Sequence, residues 1–210
     1  MIRKPDSLIF DMDGTLWDAV DLYTSAWNMI LNHCGITSQF SRAEMAGMVG
    51  WEGQKVMDTL MPGLDRDKQL DIYNKVNQKQ SQISQDGCII YDGVKEGLAQ
   101  LAARYKLFIV SNCAEGVIRR FINWAGIDDF ITDEVAYGVN HKPKNHNIKL
   151  LIDRYNLKSP VYIGDTDGDS VQSQIAGVPF VLVTYGFGTT NNYDLKFDNF
   201  TELTNYFKEL

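Results

Sequence analysis

The residues best placed to do chemistry are carboxylates that follow short apolar runs: Asp11 and Asp13 in Asp11-Met12-Asp13-Gly14-Thr15, and Asp165 and Asp169 in Gly164-Asp165-Thr166-Asp167-Gly168-Asp169. Two carboxylates two residues apart on an irregular turn can converge on one site. Gly14 permits the tight turn that brings backbone N–H groups toward an anion. Like charges repel when buried unless a cation lies between them, and a hard ion such as Mg2+ prefers oxygen ligands of this kind. The second run is read as a strand-end loop whose Asp165 completes a metal site. A calcium-binding EF-hand loop requires D-x-[DN]-x-[DN]-G, whereas here the glycine precedes the last aspartate and the run follows a strand. A divalent site would need the side chains of His33, His141 and His146 to converge, and nothing in the sequence shows that.

These side chains need elements that deliver them to one place. Leu8-Ile9-Phe10, Leu107-Phe108-Ile109-Val110, Val161-Tyr162-Ile163 and Phe180-Val181-Leu182-Val183 read as short buried strands. Helical stripes stand between the later ones (Val117, Phe121, Ile122; Ile148, Leu151, Ile152, Tyr155), and a further strand is expected near 131–137. Strands alternating with helices imply βαβ units and a parallel sheet, an α/β fold. Ligands of such sheets bind outside the carboxyl ends of the strands, where Asp11, Ser111-Asn112 and Asp165 all fall. From Trp17 the texture changes: Val20, Tyr23, Trp27, Ile30 and Cys34 draw one helical stripe, and helical patterns follow at 42–49, 54–61 and 67–84. The expected division is therefore a catalytic core of residues 1–16 and 89–210, with residues 17–88 an inserted helical domain.

Composition narrows the partners. At 44% hydrophobic and 22% charged residues, the chain has the content of a globular domain and not of a disordered one. A net charge of −7 argues against general nucleic-acid binding. No apolar run is long enough to span a membrane, and Met1–Asp6 lacks the apolar stretch of a signal peptide. A cytoplasmic location is expected, with a monomer as the default. Cys34, Cys88 and Cys113 read as reduced thiols.

Asp11-Met12-Asp13-Gly14-Thr15, Ser111, Lys142-Pro143, and Gly164-Asp165 with Asp169 resemble the motifs of the haloacid dehalogenase superfamily in their usual order, over nearly the whole chain. The helical segment resembles the C1-type cap inserted after the first motif, and the chain looks most like the phosphoglycolate phosphatase-like members. The resemblance implies a Rossmann-like three-layer core and a Mg2+-dependent phosphatase acting on a small phosphorylated metabolite. It implies Asp11 as nucleophile, forming an aspartyl-phosphate, and Asp13 as acid and base. The metal would be held by the Asp11 side chain, the Asp13 carbonyl and Asp165. Ser111 and Lys142, with Asn112, would bind the phosphoryl group. Asp169 would act behind them, orienting the lysine or metal-bound water. The family's lysine-proline pair selects Lys142 over the neighbouring Lys144.

Trp51 and Glu52, on a turn flanked by Gly50 and Gly53, are the expected specificity residues. The same motifs serve a phosphomutase resembling β-phosphoglucomutase, so the phosphate acceptor stays open between water and a sugar hydroxyl. A phospho-accepting signalling module shares the aspartate, Mg2+ and lysine, but needs neither Asp13 nor a helical insertion.

Overall fold

A computed structural model of the chain describes residues 4–37, 39–82 and 87–210; the end of the helical pattern expected at 67–84 lies outside them. The chain forms two compact units, one of Met1–Asp18 with Ile90–Leu210 and the other of Ala19–Ile89. Trp17 and Asp18 thus belong with the first unit, where they form the short strand β2 that follows β1 (Ser7–Phe10).

The described residues of the second unit hold the helices α1 (Val20–His33), α2 (Arg42–Ala46), α3 (Gly53–Leu60) and α4 (Arg66–Gln82). Val20, Trp27 and Leu31 supply the buried stripe of α1, and Trp27 meets Tyr73 of α4 at 6.3 Å between ring centroids. Ser41 and Glu44 close a capping box at the start of α2. The polar stretch 77–82 lies in the last turns of α4. Strand β3 (Ile89–Ile90) marks the return of the chain.

The first unit continues through α5 (Val94–Ala102), β4 (Lys106–Ser111), α6 (Val117–Ala125), β5 (Asp133–Ala136), α7 (Tyr137–Asn140), α8 (Lys144–Tyr155), β6 (Pro160–Gly164), α9 (Asp167–Ala176), β7 (Phe180–Val183), β8 (Leu195–Phe197) and α10 (Phe200–Glu209). Its sheet has six strands in the order β5-β4-β1-β6-β7-β8, all parallel. Every residue of β1 and β7 is buried, as expected for strands covered on both faces. On one face Ile9, Phe108, Tyr162 and Phe180 pack with Ile148 and Leu151 of α8. On the other, Phe10 meets Phe200 of α10 at 5.9 Å.

Beyond Gly188, β8 and α10 complete the sheet edge and this second layer, with Phe200, Leu203, Thr204 and Phe207 at i, i+3, i+4 and i+7 on the buried face of the helix. Phe200, Leu203 and Phe207 are fully buried, and the Tyr105 hydroxyl donates to the Phe207 carbonyl at 2.5 Å.

Candidate active site

Register brings the reactive side chains to one rim. Phe10, the last residue of β1, stands between Ile109 and Ile163. The chain leaves the sheet at Asp11, whose N–H still donates to the Ile163 carbonyl at 2.8 Å. Ser111 ends β4, Asp165 follows β6, and both are buried. Asn112 lies half-buried just beyond Ser111. Gly14 has a φ of +82°, and a β-carbon there would stand 2.7 Å from the Asp165 carboxyl carbon. The turn after Asp11 therefore tolerates no side chain at this position.

Lys144, not Lys142, enters the site. Lys142 is exposed; its backbone N–H donates to Asn140 Oδ1 at 2.9 Å, and its carbonyl accepts from Asn147 Nδ2 at 3.3 Å. Pro143 is the extended N-cap of α8 and holds Lys142 in the loop before it. Lys144 is the first residue of the helix, only 3% exposed, with Nζ 2.7 Å from both Asp11 Oδ1 and Asp169 Oδ1. Helical phase could have found it. Lys144, Asn147, Ile148 and Leu151 form the buried stripe of α8, at intervals of three, one and three residues.

Asp169 is saturated with donors. Oδ1 accepts from Lys144 and from the Tyr162 hydroxyl at 3.0 Å; Oδ2 accepts from the Thr166 N–H at 3.1 Å and the Thr166 hydroxyl at 2.6 Å. The Thr166 N–H bond is one half of the capping box that opens α9, and the Asp169 N–H donating to the Thr166 hydroxyl oxygen at 3.1 Å is the other. A carboxylate offers about four lone-pair sites, so Asp169 cannot ligate a cation without surrendering one of these bonds. Asp165 differs: Oδ2 accepts the Phe187 and Gly188 N–H groups at 2.7 and 3.2 Å, and Oδ1 has the Thr15 hydroxyl at the longer distance of 3.5 Å. Asp13 Oδ1 accepts the Trp17 indole N–H at 3.0 Å. The Trp17 ring is held in turn by Phe121 and Trp124, at 4.8 and 5.9 Å between centroids.

The electrostatics follow from burying these groups together. Burial pushes the Asp11 carboxyl well above its usual range; Lys144 opposes this, and the charges of Asp169 and Asp165 add to it. Burial, then the charge of Asp169, raises Asp165 to about 7 against the pull of the Phe187 N–H, Lys144 and the Gly188 N–H. For Asp169 burial acts upward too, but the Lys144 ammonium and the Thr166 donors outweigh it and hold the carboxyl low. Burial alone would lower Lys144; Asp11 and Asp169 keep it well above the usual range. Cys113 is pushed up to about 12 by burial and then by the charge of Asp13, which leaves a poor nucleophile.

The donor set fits a divalent cation. Carboxylate oxygens of Asp11, Asp165 and Asp169 lie within 4.8 Å of one another. Three carboxylates against one ammonium leave two negative charges without counter-charge, the charge of one such ion. Asp11 Oδ2 is moreover buried with no hydrogen-bond partner, and a buried polar atom of this kind marks the place of a missing electrophile or ion. Asp11 and Asp165 have oxygens to offer it; an all-oxygen set suits Mg2+.

The sequence names Lys144 only as the rival of Lys142, and it gives no sign of Tyr162, Trp17 or the backbone N–H groups of Phe187 and Gly188 as contributors. Trp51 and Glu52 belong to the helical unit. They lie half-buried on the turn before α3, with Lys55 Nζ 3.6 Å over the Trp51 ring.

Residues 8–183 match the family model of the haloacid dehalogenase-like hydrolases. Among curated proteins, the chain is 28% identical over 197 residues to phosphoglycolate phosphatase of Rhodospirillum rubrum, covering 87% of this chain and 81% of that one. It is 27% identical over 221 positions to phosphoglycolate phosphatase of Colwellia psychrerythraea, covering 96% of each, and 26% identical over 194 to pyrophosphatase PpaX of Listeria monocytogenes, covering 87% of each. Among solved structures, a haloacid dehalogenase-like family hydrolase from Streptococcus pneumoniae superposes with a TM-score of 0.84 at 18% identity, over 97% of this chain and 99% of that one.

Proposed function

The chain belongs to the haloacid dehalogenase-like hydrolases, and from the site it carries we propose that it is a Mg2+-dependent phosphatase of small phosphorylated metabolites that works through an aspartyl-phosphate at Asp11. One observation carries the reading: Asp11 has one oxygen held by Lys144, the other buried without a partner, and two further carboxylates beside it.

Asp11 attacks phosphorus in line. The bond from phosphorus to Asp11 forms as the bond to the leaving oxygen breaks, and Asp13 gives that oxygen its proton. Water then attacks the phosphorus of the aspartyl-phosphate, passing its proton to Asp13, and inorganic phosphate departs with both carboxyl groups restored. Lys144 lies against the attacking carboxylate and stabilises the negative charge of the transferring group, with Ser111 and Asn112 as phosphoryl-binding partners. Asp169 and Tyr162 fix the lysine. Mg2+ held by the Asp11 and Asp165 side chains and the Asp13 carbonyl would offset the repulsion between carboxylate and phosphate dianion. Among the described residues, no helix is long and apolar enough to cross a membrane.

The test is inorganic phosphate release from a panel including 2-phosphoglycolate, pyrophosphate and sugar phosphates, with Mg2+ and with EDTA. Turnover that needs the cation supports the reading, and silence on every ester from folded protein sinks it. Isomerisation of a sugar phosphate without net phosphate release would make the chain a phosphomutase instead.

The raised carboxyls set a sign for the cation's effect on stability. Without the ion, burial lets Asp165 hold its proton in the folded chain up to about pH 7, whereas the unfolded chain loses it near the ordinary carboxyl value of 3.8. The folded state binds more protons in that window, so this group's contribution falls as pH rises through it. Mg2+ competes with that proton. Added Mg2+ is therefore expected to raise Tm more at pH 7.5 than at pH 5.5. At a hundredfold excess over Kd the gain is about 5–10 °C for a chain of this size. An equal gain at both pH values in a thermal-shift titration counts against Asp165 as a ligand.

Trp51 and Glu52 are the proposed substrate-selecting pair. Trp51→Ala is expected to raise KM several-fold with kcat little changed, the pattern of lost ground-state binding; an unchanged KM across the panel would remove Trp51 from the list.

A further inference from the structure

We propose that the loop Tyr185–Gly188 is a positioning element of the cation site, setting its affinity by holding the Asp165 carboxylate with backbone N–H groups. The proposal rests on the reading of Asp165 as a cation ligand.

Three observations within the first unit carry it. The Phe187 and Gly188 N–H groups both donate to Asp165 Oδ2, so one oxygen is fixed and Oδ1 is the one left to a cation. The loop is itself tied down, since the Tyr185 hydroxyl donates to the Thr15 carbonyl at 2.8 Å and its ring rests on Tyr91 at 4.8 Å between centroids. The Thr15 N–H closes the turn after Asp11 by donating to the Met12 carbonyl at 3.3 Å, so the Tyr185 hydrogen bond links the loop under Asp165 to the strand end that carries the other ligand.

The glycines here serve close approach. A β-carbon at Gly188 would stand 2.9 Å from the Asp165 carbonyl oxygen and from Thr166 Cα, and one at Gly186 would run into the Gly14 carbonyl oxygen and Asp165 Cβ. Neither glycine has a positive φ, so the requirement is space for the loop backbone against Asp165. Two N–H donors on one oxygen restrain the carboxylate to a single orientation. A cation then binds a ligand already in place, which is how groups behind a ligating carboxylate set affinity.

Mn2+ alone is the probe, measured by electron paramagnetic resonance and calorimetry on the full chain. Tyr185→Phe, which removes one hydroxyl, and Gly188→Ala, which pushes the loop off Asp165, are each expected to weaken Mn2+ binding about 10-fold or more. Adding Tyr185→Phe to Asp165→Asn is expected to weaken it no further, because the loop acts through that carboxylate. A merely structural role would lower Tm without this dependence on Asp165. Mn2+ affinity within twofold of wild type in both variants, or an undiminished loss in the Asp165→Asn background, overturns the proposal. Should Gly188→Ala fail to fold, Tyr185→Phe decides alone. Wild-type protein that binds no Mn2+ overturns the cation reading together with this one, whereas tight wild-type binding with unmoved variants overturns this one only.

Discussion

Lys144→Met lowers kcat about 10³-fold while Lys142→Ala leaves it near wild type: this pair of results is expected from the position of the two ammonium groups. Lys142 is exposed on the loop before α8, where solvent screens its charge. Lys144 is buried, within 2.7 Å of Asp11 and Asp169. Removing one preorganised charge that stabilises a transition state costs about 10²–10³-fold in kcat. A lysine touching the attacking carboxylate belongs at the upper end of that range, about 10³-fold.

Stability gives an independent readout. Lys144→Met keeps an unbranched side chain one atom shorter but leaves three carboxylates in one buried space without the ammonium. Asp169, held low chiefly by Lys144 against its burial, loses that support and takes up a proton more readily. The variant is therefore expected to lose Tm at pH 8 and to recover part of the loss toward pH 5.5, where protonation relieves the repulsion. Steady-state kinetics and melting curves at the two pH values check both parts. Retained activity in Lys144→Met with loss in Lys142→Ala would mean that the loop, not the helix, delivers the working lysine.

The contrast between these lysines shows what a motif reading can and cannot extract from the chain. Asp11 and Asp165 were visible because each follows a wholly apolar strand, Leu8–Phe10 and Val161–Ile163, and a break from aliphatic to carboxylate fixes both the strand end and the side chain placed there. The lysine was misplaced because the Lys-Pro pair outweighed the helical period. Proline at an N-cap starts the helix after itself, so the first inward position falls at Lys144. Tyr162 was invisible for another reason. In an apolar strand a tyrosine reads as core, and the partner of its hydroxyl exists only once α9 is packed beside β6. Phe187 and Gly188 contribute backbone N–H groups, which carry no residue identity at all, and Gly186 and Gly188 serve there for close approach to Asp165. What the sequence hides is thus mostly the support behind the reacting groups, which depends on contacts between distant segments.

Asp11→Asn should be inactive and, in cation-free buffer, more stable than wild type. The amide is close in shape to the carboxylate and its carbonyl can still accept from Lys144 Nζ, so the pairing at 2.7 Å has a counterpart in the variant. What disappears is the nucleophile, and activity should fall by about 10⁴-fold or more, the scale on which deleting an attacking group acts. What also disappears is a buried charge that burial and two neighbouring carboxylates disfavour. At pH 8 that charge is a liability in the absence of the cation, so Tm rises in the variant. As pH falls, the wild-type carboxyl, held well above the usual range by its burial, gains a proton before an ordinary carboxyl would, and the advantage of the amide shrinks. Saturating Mg2+ should reverse the order, because the ion stabilises the protein that keeps its ligand. Acid-quenched wild type incubated with a labelled phosphate ester should carry label that hydroxylamine removes, as an acyl phosphate requires, and Asp11→Asn should carry none. An active Asp11→Asn protein would place the nucleophile elsewhere. An inactive variant with lower Tm at every pH would mean that Asp11 serves the fold, and the tension between stability and chemistry read from this cluster would be wrong.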